Sequence, residues 1–273
     1  MMRVLVSVDM EGIAGVVAGD DVQPGHPEYE RNRKLMTAEA SAAVRGVHAY
    51  DHGAEVLVSD AHASFRNVLP DQLDRRARLL RGKPKPEGML GGLTDSVDAL
   101  ICIGYHGKAG GARSVLAHTI SGAVIADVRI DGRSLGELGL NVARASHSGV
   151  PTVLVAGDDT VAIEAAQVAP GMHAVVVKWA LGQTAAECLH PDEACDQIEQ
   201  AVPRALTDRE AVRPLHFDGP VDLEVDVLHP GMTERAQLIP GMELKGGQTL
   251  RYQAPDIPTA YRLIQLIAVL GTA

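Results

Sequence analysis

The sequence predicts an α/β protein: a three-layer, mostly parallel sheet with helices on both faces, plus a smaller α+β unit. Two observations carry that prediction. Short, continuous apolar runs rich in Val and Ile alternate with longer helical stretches, the pattern of strands buried on both faces and joined by helical crossovers. Beyond about Val221 the pattern changes to strand, helix, strand, helix. Of the 273 residues, 46% are hydrophobic and 22% charged, which excludes a disordered or fibrous chain. Aromatics are only 3%, so the core has to be built from Val, Leu, Ile and Ala.

Taken in order, Arg3–Val8 is the first strand and ends at Asp9. The spacing from Pro27 to about His52 is helical, with Gly53 placed as the residue just past the helix end. Ala54–Asp60 is the second strand. Lys83 to Gly92 is irregular and rich in Pro and Gly, and Ala99–Gly104 is the third strand. Ala123–Ile130 and Arg133–Leu135 flank Asp131-Gly132, a strong hairpin signal. Gly136–Ser148 reads as a helix, Pro151–Gly157 as the fourth strand and Ala174–Val177 as the fifth. The last pieces are Leu223–Leu228, Thr233–Ile239, Thr249–Gln253 and Pro258–Leu270. The expected division is 1–212 for the main α/β domain and 213–273 for the smaller α+β unit, with the boundary near Arg213-Pro214.

Lys and Arg number 25 against 35 Asp and Glu, a formal charge of −10. A nucleic-acid partner needs a basic face, so none is expected. Cys102, Cys188 and Cys195 form no CxxC pair, which suits a reducing compartment. The apolar runs are too short for a membrane span, and the N-terminus enters a strand without a signal peptide. The expectation is a cytoplasmic protein with no membrane partner.

In an open parallel sheet, ligands bind beyond the carboxyl ends of the strands. Those ends carry Asp9-Met10-Glu11, Asp60-Ala61-His62, Tyr105-His106 and Asp158-Asp159. Singly, each Asp reads more simply as a turn or cap residue, and each His as a surface or satisfied one. Together they form an inventory of oxygen and imidazole metal ligands. Asp9 ends a core strand, and Gly12 and Gly15 let the following backbone curl so that Asp9 and Glu11 converge. His118 follows the glycine-rich loop Gly107–Ala112, which can approach a substrate closely. Glu137 opens a helix, where an acid suits the helix dipole without any further role. Asp60 and Asn141 are candidates for orienting ligands or, equally, for turns and caps. Lys178 reads as structural or rim-facing, and Asp158 as a helix cap. There is no P-loop, no GxGxxG after the first strand, no GxSxG and no HExxH, which removes several nucleotide and hydrolase classes.

The ordered set Ser7-Val-Asp9-Met-Glu11-Gly12, Ser59-Asp-Ala-His62, Gly104-Tyr-His106, Ala117-His118, Gly136-Glu137-Leu-Gly-Leu-Asn141 and Val155-Ala-Gly-Asp-Asp159 resembles the zinc-dependent D-aminopeptidases of the dipeptide-operon (DppA) type. The likeness includes Tyr29-Glu-Arg31 and Met36-Thr37, and it is weaker in the last sixty or so residues. It implies two Zn²⁺ per subunit held by Asp9, Glu11, His62, His106 and Glu137, with Asp9 bridging. It makes His118 the catalytic residue outside the metal shell. Mn²⁺ or Co²⁺ would suit the same nitrogen and oxygen donors. It also implies a ring-shaped homo-oligomer, a homodecamer, that admits short peptides to an inner chamber. Two Zn²⁺ would outweigh three carboxylates by about one positive charge, which favours hydroxide by lowering the pKa of a bound water from 15.7 toward roughly 7. The expected activity is removal of the N-terminal residue from short peptides or aminoacyl amides, with D configuration implied by the family name alone. An L-aminopeptidase, another metal-dependent amidase, a phosphoesterase and a non-catalytic metal-binding protein are the alternatives. Stereochemistry and the acid, base or oxyanion role of His118 stay open at this level.

Overall fold

The computed structural model describes residues 1–272. Its elements in chain order are β1 (Arg3–Val8), α1 (Gly19–Val22), α2 (Pro27–Tyr50), β2 (Glu55–Asp60), β3 (Ala77–Leu80), β4 (Ala99–Tyr105), β5 (Ile125–Ile130), β6 (Arg133–Ser134) and α3 (Glu137–His147). There follow β7 (Thr152–Asp158), α4 (Asp159–Val168), β8 (His173–Gly182), β9 (Ala185–Cys188), α5 (Pro191–Thr207), β10 (Val221–Val227), α6 (Pro230–Ala236), β11 (Glu243–Lys245), β12 (Thr249–Ala254) and α7 (Ile257–Gly271).

The main sheet has seven strands in the order β3-β2-β1-β4-β7-β8-β9. All neighbours run parallel except the outermost pair, β8 and β9. Every residue of β4 and β7 is buried, which explains their unbroken apolar sequences. Alternate side chains divide between two cores. Val4, Val6, Val8, Ile101 and Ile103 pack with α2 and α5 on one face. Leu5, Leu100, Cys102 and Tyr105 pack with α3, α7 and a second sheet on the other. The three-layer α/β fold expected from the sequence is thus the fold observed. The edge strands β3 and β9 have no counterpart in that expectation: each spans four residues and is only half-buried, so neither carries an apolar run.

The second sheet is antiparallel, in the order β11-β12-β10-β5-β6. The segment after residue 213 therefore does not build this layer alone, because β5 and β6 from the middle of the chain complete it. β5 and β6 are joined by Asp131 and Gly132, both at positive φ (49° and 77°), as a tight hairpin turn requires. No helix among the described residues is long and apolar enough to cross a membrane.

Candidate metal centre

The strand order places β2, β1 and β4 side by side, so the residues after them, His62, Asp9 and His106, arrive at one rim. The direction of winding reverses between β1 and β4, and a crevice opens at such a point. Two glycines close it. Gly12 donates its N–H to the Gly104 carbonyl at 2.7 Å, and a Cβ on Gly12 would sit 1.9 Å from the Tyr105 carbonyl oxygen. A Cβ on Gly104, at φ +72°, would sit 2.2 Å from the Asp9 carbonyl oxygen. That approach carries Asp9 and Glu11 against His106. Glu137 comes by another route: the β5–β6 hairpin delivers it as the first residue of α3, where its Oε1 accepts the Ile120 N–H at 2.7 Å.

All six residues singled out in the sequence meet here. His62 Nδ1 lies 2.9 Å from Glu11 Oε2 and 3.4 Å from Asp9 Oδ1. His106 Nε2 lies 3.6 Å from both Asp9 Oδ2 and Glu137 Oε2. The two oxygens of Asp9 therefore face two different histidines. Donor atoms of Asp9, Glu11 and His106 lie within 4.8 Å of one another, as do those of His106, His118 and Glu137. His118 stacks on His106 with centroids 4.4 Å apart, and its Nε2 is 3.4 Å from Glu137 Oε1. Its side chain is 22% exposed, against 7% or less for the other five.

The rings are held in defined orientations. The outer nitrogens Nε2 of His62 and Nδ1 of His106 each lie 2.9 Å from a backbone carbonyl, Val22 and Gly107 respectively. A hydrogen on those nitrogens donates outward and leaves the inner nitrogen with a lone pair toward the carboxylates. His106 Nε2 is buried and has no hydrogen-bond partner.

The electrostatics of the cluster favour a cation. Asp9, Glu11 and Glu137 are buried together, and among the described residues no Lys or Arg forms an ion pair with them. Burial, then the charges on Glu11 and Glu137, pushes the Asp9 carboxyl well above its usual range. Burial opposes ionisation of Glu11 and Glu137 as well, but His62 holds Glu11 down and His106 with His118 holds Glu137 down. Burial likewise works against a charged His106, yet Glu137 raises it to about 10. Three clustered acids, an orphaned imidazole nitrogen and oriented rings fit divalent cations with nitrogen and oxygen preferences.

A second set of groups positions these side chains, and the sequence signals little of it. Lys178 is fully buried, and its ammonium donates to the carbonyls of Glu11, Ile13 (3.1 Å) and Val16 (2.6 Å). Three donors meet three acceptors, so the charge is satisfied by the loop that carries Glu11. Glu39 Oε1 accepts the Ala14 N–H of the same loop at 2.8 Å. Glu164 accepts the N–H groups of Gly136 and Gly139 at the start of α3. Asp158 caps α4 as expected, but its other oxygen also binds Ser114 Oγ and the Val115 N–H in the loop leading to His118. The Asp60 side chain touches none of the six residues directly. It binds Asn67, whose amide donates to the His62 carbonyl at 2.6 Å. Asn141 instead ties Tyr105 to Tyr261. A lone Lys or Glu in an apolar segment was the only signal available for Lys178 and Glu39, and it does not say what the side chain meets.

Glu39 has a measurable consequence. Burial lifts its carboxyl from 4.5 to about 7. The folded state therefore keeps the proton to higher pH than the unfolded chain, and its stabilising contribution is complete below about 4.5 and lost as pH rises to 7. Glu39→Gln retains the oxygen acceptor and removes the ionisation. The variant should gain on the parent by about 2–3 kcal/mol between pH 5 and 8, read from urea midpoints at each pH. Parallel curves for the two proteins would rule this out.

Among the described residues six non-glycines adopt positive φ, and three of them, Ala63, Phe65 and Ile120, line this site. Such conformations cost roughly 1–3 kcal/mol each and concentrate where function over-determines the backbone. They shape a cavity of about 190 Å³ lined by Asp9, Glu11, His62, His118 and Glu137.

The family model for D-aminopeptidases, peptidase family M55, matches residues 2–266. The chain belongs to the D-aminopeptidase family. A curated member of that family, the D-aminopeptidase of Bacillus subtilis (strain 168), is 36% identical over 276 residues, covering 99% of this chain and 98% of its own. A solved structure described as the Zn-dependent D-aminopeptidase DppA from Bacillus subtilis, a self-compartmentalizing protease, superposes with a TM-score of 0.94 at 34% identity, covering 99% of this chain and 98% of that one. The D-aminopeptidase resemblance read from the sequence motifs is thus family membership, and it extends through the final segment where those motifs thin out.

Proposed function

We propose that this member of the D-aminopeptidase family is a zinc-dependent aminopeptidase that removes the N-terminal residue, of D configuration, from short peptides or aminoacyl amides. The observation that carries the reading is the buried convergence of Asp9, Glu11, His62, His106 and Glu137, with a partly exposed sixth residue, His118, facing the same cavity.

Asp9, Glu11, His62, His106 and Glu137 would hold two Zn²⁺, with Asp9 shared because its two oxygens face different histidines. When bound, the ions supply Lewis acidity to the scissile carbonyl and lower the pKa of a water molecule. The protein supplies position and proton handling. Lys178 and Glu39 fix the loop of Glu11, and Glu164 fixes the helix start that presents Glu137. His118 Nδ1 lies 2.9 Å from the Leu116 carbonyl, which turns Nε2 to the cavity beside Glu137 Oε1, where it can hold or deliver a proton. That nitrogen is placed to protonate the departing amine or to donate to the developing oxyanion. The acid side chains facing the cavity also offer acceptors to a free α-amine.

The B. subtilis relative is described as self-compartmentalizing. We extend this to a ring-shaped homo-oligomer here, a homodecamer, whose enclosure would restrict substrates to short peptides. The three cysteines form no disulfide, and the cytoplasm is the compartment we assign.

The test is a matched panel of D- and L-aminoacyl p-nitroanilides and dipeptides with the zinc-loaded protein. D substrates should release amine and lose that activity on chelation. Selective cleavage of the L series would convert the reading to an L-aminopeptidase. Inertness toward the whole panel, with turnover of a phosphate ester or another amide, would replace it altogether.

A further inference from the structure

One cation faces this cavity. Lys83 is exposed at the mouth and lines the same cavity as Asp9, Glu11 and Glu137, and among the described residues no other Lys or Arg does. Its ammonium rests 4.6 Å from the Phe65 ring centroid. Lys85 lies on the same ring at 4.1 Å, and the contrast between the two is informative. Lys85 is buried and spends its donors on Ser59 Oγ (2.8 Å) and the Asp60 carbonyl (2.6 Å). Among the described residues Lys83 has neither an ion pair nor a hydrogen bond, and packing against Phe65 lowers its ammonium pKa by partial burial. Phe65 itself is held at φ +58°, with its carbonyl accepting the Gly82 N–H at 2.6 Å. The loop before Lys83 is thereby tied to the wall. A cation set on an aromatic ring, without an acidic partner and opening onto an enclosed site, is built to meet an anion that arrives with the ligand.

We propose that Lys83 is a specificity-determining residue that binds the free C-terminal carboxylate of a dipeptide substrate. The inference rests on the aminopeptidase reading above. Within it, the substrate's amine end lies at the acid cluster and its carboxylate end at Lys83, because both line one cavity. A free carboxylate then gains a charge-assisted contact that the corresponding carboxamide lacks.

The experiment uses the zinc-loaded protein, D-Ala-D-Ala and its C-terminal amide, and a non-cleavable analogue of each in which the peptide carbonyl is reduced to a methylene. Calorimetric affinities of the acid and amide analogues are compared for the parent, Lys83→Met and Lys83→Arg, alongside kcat/KM for the cleavable pair. The parent should favour the acid by about tenfold to a hundredfold, through affinity and KM. The ratio should fall to near one in Lys83→Met and persist in Lys83→Arg. Equal binding of acid and amide by the parent overturns the proposal, as does an acid preference that survives in Lys83→Met, or no binding of either analogue. Acid-selective, Lys83-dependent binding without cleavage of the dipeptide supports the carboxylate site and removes the aminopeptidase reading instead.

Discussion

Asp9→Asn should retain at most one zinc per chain and lose about a thousandfold or more in turnover, equivalent to roughly 4 kcal/mol of barrier. The reason is the position of this one carboxylate. Its Oδ1 faces His62 and its Oδ2 faces His106, so it is the side chain that can serve both halves of the cluster. Asparagine keeps the size and a single oxygen acceptor but replaces the other oxygen with an NH₂ group that cannot ligate a cation. It also removes one of three buried negative charges, so the remaining site attracts less cation charge. Elemental analysis of protein loaded and then desalted, together with steady-state rates, reads both effects. Two retained ions with a rate within tenfold of the parent would dismiss Asp9 as the shared ligand. Folding should survive, because the Asp9 side chain accepts its backbone hydrogen bond locally, from the Met10 N–H, and the Asp9 N–H bond to the Ile103 carbonyl is untouched.

His118→Ala separates two roles that the geometry brings close together. His118 Nε2 is nearer to Glu137 (3.4 Å) than His106 Nε2 is (3.6 Å), and the three residues form a compact donor group. Exposure distinguishes them: the His106 side chain is wholly enclosed, whereas His118 opens to the cavity from a loop held at positive φ on either side, at Leu116 and Ile120. A ligand needs enclosure, and a group that exchanges protons with substrate needs access. The expected result is an unchanged metal content with turnover down by about 10²–10⁴-fold. Loss of an ion on this substitution would make His118 a ligand, and turnover close to that of the parent would remove it from the chemistry.

The strand residues Arg3–Val8, Ala99–Gly104 and Pro151–Gly157 were legible because burial on both faces forces continuous apolar composition. The hairpin at Asp131-Gly132 was legible because its turn demands positive φ. Asp9, His62 and His106 stood out as polar residues directly after such strands. Glu137 did not: a helix-opening Glu has a sufficient local explanation, and only family resemblance promoted it. Lys178, Glu39 and Glu164 were missed or undervalued because each acts on backbone N–H or carbonyl groups distant in sequence, for which no side-chain pattern exists. Lys83 lies in an irregular Pro- and Gly-rich stretch, where no periodicity says what a side chain faces.

What the chain's sequence determined alone is local: which segments are strands or helices, which residues end them, and the chemical types available to a site. Those follow from side-chain periodicity and turn chemistry, which act over a few residues. Only the tertiary structure decided that β2, β1 and β4 are neighbours, that the β5–β6 hairpin crosses to the second sheet and delivers Glu137 to the rim, and that Lys178 reaches the carbonyls beside Glu11. Those contacts span up to 167 residues of chain. They are set by how the sheets and helices pack, a property of the whole fold that no short window of sequence carries.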